Sequence, residues 1–335
     1  MEKRYDVVAI GDTVIDAFIK LTEADQADVR GEPDHSDYKI CLPFAEKIPY
    51  EEVYIINAVG NAANGANSAS RLGLQSAIVT NLGDDQNGKD CIQSFKENNV
   101  DTKFIKINSG IKTNYHYVLW YQSERTILTK HEKYHYELPN IGEPKWLYFS
   151  SVGKDAFPFH NSVAEYLDAH PDTRLAFQPG KNEILLGKEK LAPLYNHADL
   201  FFCNVEEAQK ILGKNDGDAD IKNLLQEMRK LGPKTVVITD GPKGAYAYDG
   251  NDVWFMEPYP DPKTPLERTG AGDAFSSTVM SAIILGKSLP EALAWGSINA
   301  MSVVQEIGAQ KGLLSQDKIE EYLRNAPANY KAKAI

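Results

Sequence analysis

Cysteine is scarce in this 335-residue chain: Cys41, Cys91 and Cys203 are odd in number, widely spaced and in no metal-ligand pattern. That argues against a disulfide framework or a cysteine-built zinc site and makes a reduced, cytoplasmic setting the expectation. No apolar run is long enough to span a bilayer, and the opening Met1-Glu2-Lys3-Arg4-Tyr5-Asp6 leads straight into a strand-like run rather than a secretion leader. Basic residues are also short. Against 47 Asp and Glu stand 36 Lys and Arg, a net charge of −11, which disfavours nonspecific binding to nucleic acid or to an anionic membrane. An anionic ligand must then be held by local geometry. The seven histidines form no H-E-x-x-H, and His131 and His135, at helical spacing, are expected to face solvent rather than a metal. No G-x-G-x-x-G follows a strand, so a dinucleotide site lacks support. Gly83 to Lys89 has the spacing of a P-loop, but Asp90 stands where Ser or Thr would meet magnesium, and Asp84 and Asp85 would repel phosphate. Such acids suit the hydroxyls of a polyhydroxylated ligand better.

What the chain does have is alternation. Apolar runs at Tyr5 to Ile10, Ala77 to Leu82, Trp146 to Ser151, Arg174 to Gln178, Leu200 to Cys203 and Thr235 to Thr239 read as strands. Between them, Ala62 to Leu72, Gln86 to Asn98 and the stretches 159–169, 205–212 and 218–231 read as helices. This predicts an α/β fold with a mostly parallel central sheet flanked by helices on both faces. Asp249-Gly250 turns a hairpin between Ala245 to Tyr248 and Val253 to Met256, and Ser288-Leu289-Pro290-Glu291 has capping-box spacing and opens a helix running toward Glu306. Two segments break the pattern: 21–57 is charged and irregular, and 103–136 alternates like adjoining strands. We expect residues 1–16, 58–102 and 137–335 to form the α/β core, and 17–57 with 103–136 a small β-sheet lid. Lys331 to Ile335 reads as a frayed tail.

The most informative stretch is Glu267-Arg268-Thr269-Gly270-Ala271-Gly272-Asp273-Ala274-Phe275, a glycine turn followed by apolar residues at helical spacing. Asp273 then lies in a first helical turn, where the unpaired N–H groups of Gly270, Ala271 and Gly272 and the helix dipole favour an anion. Such a turn could stabilise a phosphate's developing charge while Asp273 takes a proton from an attacking hydroxyl. The same residues also suit a plain turn and cap, and taken alone they do not choose.

Taken together with other motifs in the right order, this turn resembles the second signature of the ribokinase, or PfkB, family of carbohydrate kinases. Gly11-Asp12 with Asp16 resembles that family's sugar-binding start, and Gly60-Asn61-Ala62-Ala63-Asn64 leading to Arg71-Leu72-Gly73 its first signature. Gly83-Asp84-Asp85-Gln86-Asn87-Gly88 resembles its G-D-D-x-x-G turn, Asn204-Val205-Glu206-Glu207 its N-x-x-E element, and Thr239-Asp240-Gly241-Pro242-Lys243-Gly244 its nucleotide-binding turn. Gly308-Ala309-Gln310 falls where the family closes the adenine and monovalent-cation loop. The resemblance implies an ATP-dependent kinase with Asp273 as base and Gly270, Ala271 and Gly272 as anion hole. It further implies Asp12, Asp16, Gly60, Asn61 and Asn64 at the acceptor, and Asn204, Thr239, Gly241, Gly244 and Gly308 at the nucleotide. Glu207 and Asn204 would hold Mg²⁺ mostly through water, and the lid could join two subunits in a homodimer. Departures narrow this. Val59 replaces a usual glycine, Gln178-Pro179-Gly180 a commoner Asp-Pro-Asn, and Glu267-Arg268 a common Asp-Thr. The last leaves activation by a monovalent cation such as K⁺ open and lets Arg268 reach for phosphate instead. A sugar acceptor, a ribose-like pentose or a hexose, is the leading reading, a nucleoside the runner-up, and a silent sugar or nucleotide sensor the alternative outside enzymes.

Overall fold

The computed structural model describes residues 4–22, 28–30, 39–122, 124–214 and 220–335. The chain begins with β1 (Val7–Ile10), β2 (Val14–Leu21), β3 (Asp28–Arg30), β4 (Lys39–Cys41) and β5 (Tyr50–Val59). It continues through α1 (Asn61–Arg71), β6 (Ser76–Gly83), α2 (Gln86–Glu97), β7 (Ile105–Asn108), β8 (Asn114–Tyr121), β9 (Glu124–Leu128) and β10 (Trp146–Phe149). Then come α3 (Phe157–Ala169), β11 (Arg174–Phe177), α4 (Lys181–Leu186), α5 (Ala192–His197), β12 (Ala198–Asn204), α6 (Val205–Leu212) and α7 (Ile221–Lys230). The last elements are β13 (Thr235–Thr239), β14 (Ala245–Tyr248), β15 (Val253–Met256), α8 (Ala271–Ile284), α9 (Leu289–Val303), α10 (Gln316–Arg324) and β16 (Lys333–Ala334).

Ten strands form one sheet in the order β16-β15-β14-β13-β12-β11-β10-β1-β6-β7. From β7 to β13 every pairing is parallel, and β14 to β16 close one edge antiparallel. The central strands are buried on both faces, which is why they read as unbroken apolar runs. Successive residues of β1 feed opposite cores: Val7 and Ala9 pack on one face, Val8 and Ile10 on the other.

α1 is built of small residues for a reason visible in its packing. The Tyr148 ring lies where a Cβ on Gly65 would be, so only glycine lets α1 approach the sheet this closely. α1 also lies against α8 along a buried polar seam: Ser68 Oγ and Thr278 Oγ1 are 3.4 Å apart, and Asn299 Nδ2 of α9 donates to Thr278 Oγ1 at 2.7 Å. The Asn299 carbonyl in turn accepts from Leu314 N at 2.9 Å, so every partner in this dry seam is satisfied by another.

A second sheet, β5-β2-β8-β9, stands apart from the first, and β3 pairs with β4. It takes residues from both segments that break the alternation, and its β2 already starts at Val14, so Asp16 belongs to it. Other expectations need correcting. β7, expected in the lid segment, pairs with β6 at the edge of the large sheet. The C-terminal tail is not frayed: Lys333 and Ala334 pair with Phe255 and Trp254. α4, α5 and α10 have no counterpart in the sequence reading; the first two are only six residues long, too short to show a period. Parts of 21–57, and the first residues of the helix expected from 218, lie outside the described residues. No helix among the described residues is long and apolar enough to cross a membrane.

Candidate active site

The carboxyl ends of β1, β11, β12 and β13 and the loop after β10 open on a cleft of about 430 Å³, roofed by the smaller sheet. That is where an open parallel sheet offers its loops and helix starts to a ligand. Asp273 stands on its floor at the start of α8. Gly270, with φ of 78°, is the cap residue, and a side chain there would collide with Ala309, so glycine is enforced twice. Gly272 faces open space. The first intrahelical bond comes from Ala274 N to Gly270 O at 2.8 Å, leaving the preceding amides free for an anion.

Three side-chain amides hold the Asp273 carboxylate. Asn61 Nδ2 donates to Oδ1 at 3.0 Å, Gln178 Nε2 to Oδ1 at 2.9 Å, and Asn64 Nδ2 to Oδ2 at 2.8 Å. Asn61 and Asn64 share a face of α1 by their i, i+3 spacing. The sequence reading gave them to acceptor hydroxyls; here both line the cleft and each donates to Asp273. Gln178 is oriented by the hydroxyls of Tyr148 and Ser276, which both donate to its carbonyl and leave its NH₂ for Asp273. Asn64 Oδ1 accepts from Gln310 Nε2 at 2.9 Å, which also reaches Ala58 O at 2.7 Å. Burial holds the Asp273 carboxyl above its usual range, against the opposing pull of Asn64, Gln178, the Arg125 charge and Asn61. Carboxyl groups perturbed in this way cluster at functional sites.

The cleft is also lined by Asp12 and Asp16. Asp12 is buried and accepts from Tyr136 OH at 2.9 and 3.0 Å, with His131 Nδ1 3.4 Å away. Burial raises its pKa; His131 and Tyr136 oppose the rise. Gly153 N donates to the same phenol at 2.9 Å. Asp16, on β2, has His116 Nδ1 at 3.4 Å, while Asp16 Oδ1 and His116 Nε2 are buried without a hydrogen-bond partner. The His116 and His131 rings meet edge-on, 5.2 Å between centroids; His131 is exposed, as expected, and also lines the cleft. Gly60, φ 110°, passes so close to Asp12 that a Cβ would lie 2.7 Å from its carbonyl oxygen.

The opposite side of the cleft carries Asn204, Glu207, Thr239 and Arg268. Asn204 and Glu207 form a reciprocal capping box: Glu207 N donates to Asn204 Oδ1, and Asn204 N to Glu207 Oε2, both at 2.8 Å. Burial raises the Glu207 pKa, the Asn204 amide opposes it, and the Asp273 charge adds to it. Arg268, expected at phosphate, lines the cleft and has Glu124 of β9 at 3.5 Å, both half-exposed. Gly241, Gly244, Gly308 and Ala271 do not line the cleft. Gly244, φ 107°, lies against Met256 O and accepts from Asp240 N at 2.8 Å, shaping the turn into β14. Gly308 N donates to Glu267 Oε1 at 2.8 Å and Thr269 N to Oε2 at 2.6 Å, so buried Glu267 ties the 308 loop to the turn before α8. Asp84 and Asp85 serve structure: Asp84 accepts from Gly110 N and Ser109 Oγ, and Asp85 caps α2 and holds Thr113. Gln178, Arg125, His116, His131 and Tyr136 escaped the sequence reading as site residues. Only Gln178 had left a signal, as the odd member of its tripeptide.

No cluster of three His, Cys, Asp or Glu suited to a metal occurs among the described residues. A divalent ion beside Glu207 would need phosphate and water oxygens to complete its shell. That fits Mg²⁺, which keeps waters and takes few protein ligands.

Comparison with known proteins bears on the fold and the family. The ATP-dependent 6-phosphofructokinase of Thermoanaerobacterium thermosaccharolyticum is 25% identical over 332 residues, covering 95% of this chain and 94% of that protein. The structure of Arabidopsis thaliana ribokinase complexed with ribose and ATP superposes with a TM-score of 0.76 at 18% identity, covering 96% and 99% of the two chains. The Methanocaldococcus jannaschii nucleoside kinase superposes with a TM-score of 0.72 at 19% identity, again over 96% and 99%. Residues 37–316 match the pfkB family of carbohydrate kinases, and the chain belongs to that family of phosphotransferases acting on sugar hydroxyls.

Proposed function

We propose that this kinase transfers the γ-phosphoryl group of ATP to a hydroxyl of a free sugar, a ribose-like pentose or a hexose. The observation that carries the reading is the Asp273 carboxylate, held by three amides and raised in pKa, beside the free amides of α8 and facing the polar pocket of Asp12 and Asp16. The acceptor hydroxyl gives its proton to Asp273 as its oxygen attacks Pγ. The bond from Pγ to the bridging oxygen breaks, and ADP leaves with that electron pair. A positioned base contributes roughly 10²- to 10⁴-fold, and each amide aimed at the developing charge about 10²- to 10³-fold. Asp12 and Asp16 accept hydrogen bonds from sugar hydroxyls, and Thr239 borders the nucleotide. The lid excludes water, which would otherwise compete as acceptor.

Mg²⁺ when bound would neutralise phosphate charge, with Glu207 and Asn204 as its protein partners. Each Glu267 oxygen holds a single amide, and its buried negative charge between two loops suits a monovalent cation such as K⁺. Val14 and Ile127 give the cleft an apolar patch, which keeps a nucleoside acceptor as the second reading.

The lid supports a homodimer. Ile55, Ala17, Tyr117 and Leu128 lie in register across its four strands, and Ile55, Tyr117 and Leu128 expose 60%, 50% and 51% of their surface on the face away from Asp16 and His116. The decisive experiment measures ADP release from MgATP over free pentoses, hexoses, ketoses, deoxy acids and nucleosides, with Asp273→Asn as the blank. Turnover with a neutral sugar, absent from the blank, supports the reading. Turnover confined to nucleosides replaces it with the second, and silence from a folded, ATP-binding protein overturns both.

A further inference from the structure

The lid carries one cation into the cleft to which the mechanism above gives no task. Arg125 pairs with Trp120 in β9, so by strand alternation it shares the cleft-facing side of the lid sheet with Asp16 and His116. Its side chain lines the same cleft as Asp273. The cleft's other arginine, Arg268, has Glu124 as its partner. Arg125 has no carboxylate partner among the described residues, and its Nε is buried without a hydrogen bond. Arg125 is only partly buried, but an Nε–H shut off from water with no acceptor leaves a donor ready for an anion. Its planar fork of donors matches the geometry of phosphate oxygens. The charge also bears on the base, since it opposes the burial that raises the Asp273 pKa.

We infer that Arg125 is a catalytic residue, hydrogen-bonded to the phosphoryl group in transfer from the lid side, opposite the amides of α8. The inference rests on the kinase reading above. During transfer the acceptor oxygen bonds to Pγ, the bond to the bridging oxygen breaks, ADP takes that electron pair, and the acceptor proton goes to Asp273. Arg125 exchanges neither proton nor electron pair. It supplies N–H donors to the equatorial oxygens over which the charge is spread. Because it rides on β9, the charge arrives with the lid, and full transfer competence requires the lid to be in place over an acceptor.

The test compares wild type, R125A and R125K in kcat and KM with MgATP, using a neutral acceptor and a carboxylated or phosphorylated analogue of it. Slow hydrolysis of MgATP by water is measured alongside and needs no acceptor. R125A should lower kcat by about 10²- to 10³-fold, the range for one preorganised donor. The loss should be the same for neutral and anionic acceptors, with each KM within about fivefold of wild type. R125K should recover part of it, since charge returns without the fork. Should R125A fail to fold, R125K carries the test, with a loss of about tenfold expected. Unchanged kcat in R125A overturns the inference and leaves the kinase reading intact. A loss confined to the KM of anionic acceptors also overturns it and makes Arg125 a recognition group for acceptor charge. A wild-type protein that neither phosphorylates an acceptor nor hydrolyses MgATP overturns both.

Discussion

Replacing Gln178 with Met tests how the base is tuned. The substitution keeps length and shape but removes the NH₂ that donates to Asp273 Oδ1 at 2.9 Å. Tyr148 and Ser276 lose an acceptor, yet they lie 3.1 Å apart and can bond each other, and Ser276 Oγ already reaches Gly272 O at 2.9 Å. The loss therefore falls mainly on Asp273. A hydrogen bond to a charged group is worth about 1.5–3 kcal/mol. Gln178 favours the ionised form, while burial has already pushed the carboxyl up. Removing the donor must therefore raise the pKa further. At roughly 1.4 kcal/mol per unit, the acid limb of kcat against pH should move upward by about one to two pH units. On the alkaline side of that limb the base is ionised in both proteins, and kcat should agree within about threefold. A coupled ADP-release assay from pH 5 to 9 on both proteins reads the shift. An acid limb that stays in place, or moves down, while the plateau falls would refute the argument and make Gln178 a substrate contact instead.

Four further outcomes are expected. Asp273→Asn should lower turnover by roughly 10²- to 10⁴-fold while calorimetric affinities for MgATP and acceptor stay near wild type; retained turnover would remove Asp273 from the mechanism. Glu207→Gln should raise the Mg²⁺ concentration for half-maximal rate, and an unchanged metal titration would count against its role there. Gly272→Ala should leave the thermal midpoint unchanged, because nothing lies within 4 Å of the added methyl, yet weaken MgATP use because the methyl takes the space before the amides; full activity would show that the phosphate does not sit there. Ile55→Glu should convert a dimer to a monomer in sedimentation velocity, and a wild-type monomer at tens of micromolar would remove the proposed lid interface.

The central sheet was legible because parallel strands buried on both faces must be apolar where they are covered, as all of β1 and β10 and the middle three residues of β13 are. The catalytic turn was legible because Gly270 cannot be replaced at its φ beside Ala309, and Asp273 follows it in sequence. Pairings between distant segments were hidden. Nothing local in Gln178 or Asn61 says that both amides converge on Asp273, because the convergence is created by packing α1 and β11 around α8. The approach of His131 to Asp12 was hidden because the two lie more than a hundred positions apart. The C-terminal strand was missed for a related reason: a short edge strand of Lys and Ala has no pattern of its own and is specified by the hydrogen-bonding edge of β15.

The seam of Ser68, Thr278 and Asn299 has a consequence for how the enzyme fails on heating. Two of its members lie on the helices that carry the working groups, Ser68 four residues beyond Asn64 on α1 and Thr278 five beyond Asp273 on α8. Sliding one helix past the other by a single residue, about 1.5 Å, would strand hydroxyls and an amide in the buried interior as it displaced Asp273. Geometry at the reaction centre therefore has no soft mode of its own along this direction, and loss of activity and loss of helix packing should follow one and the same thermal transition.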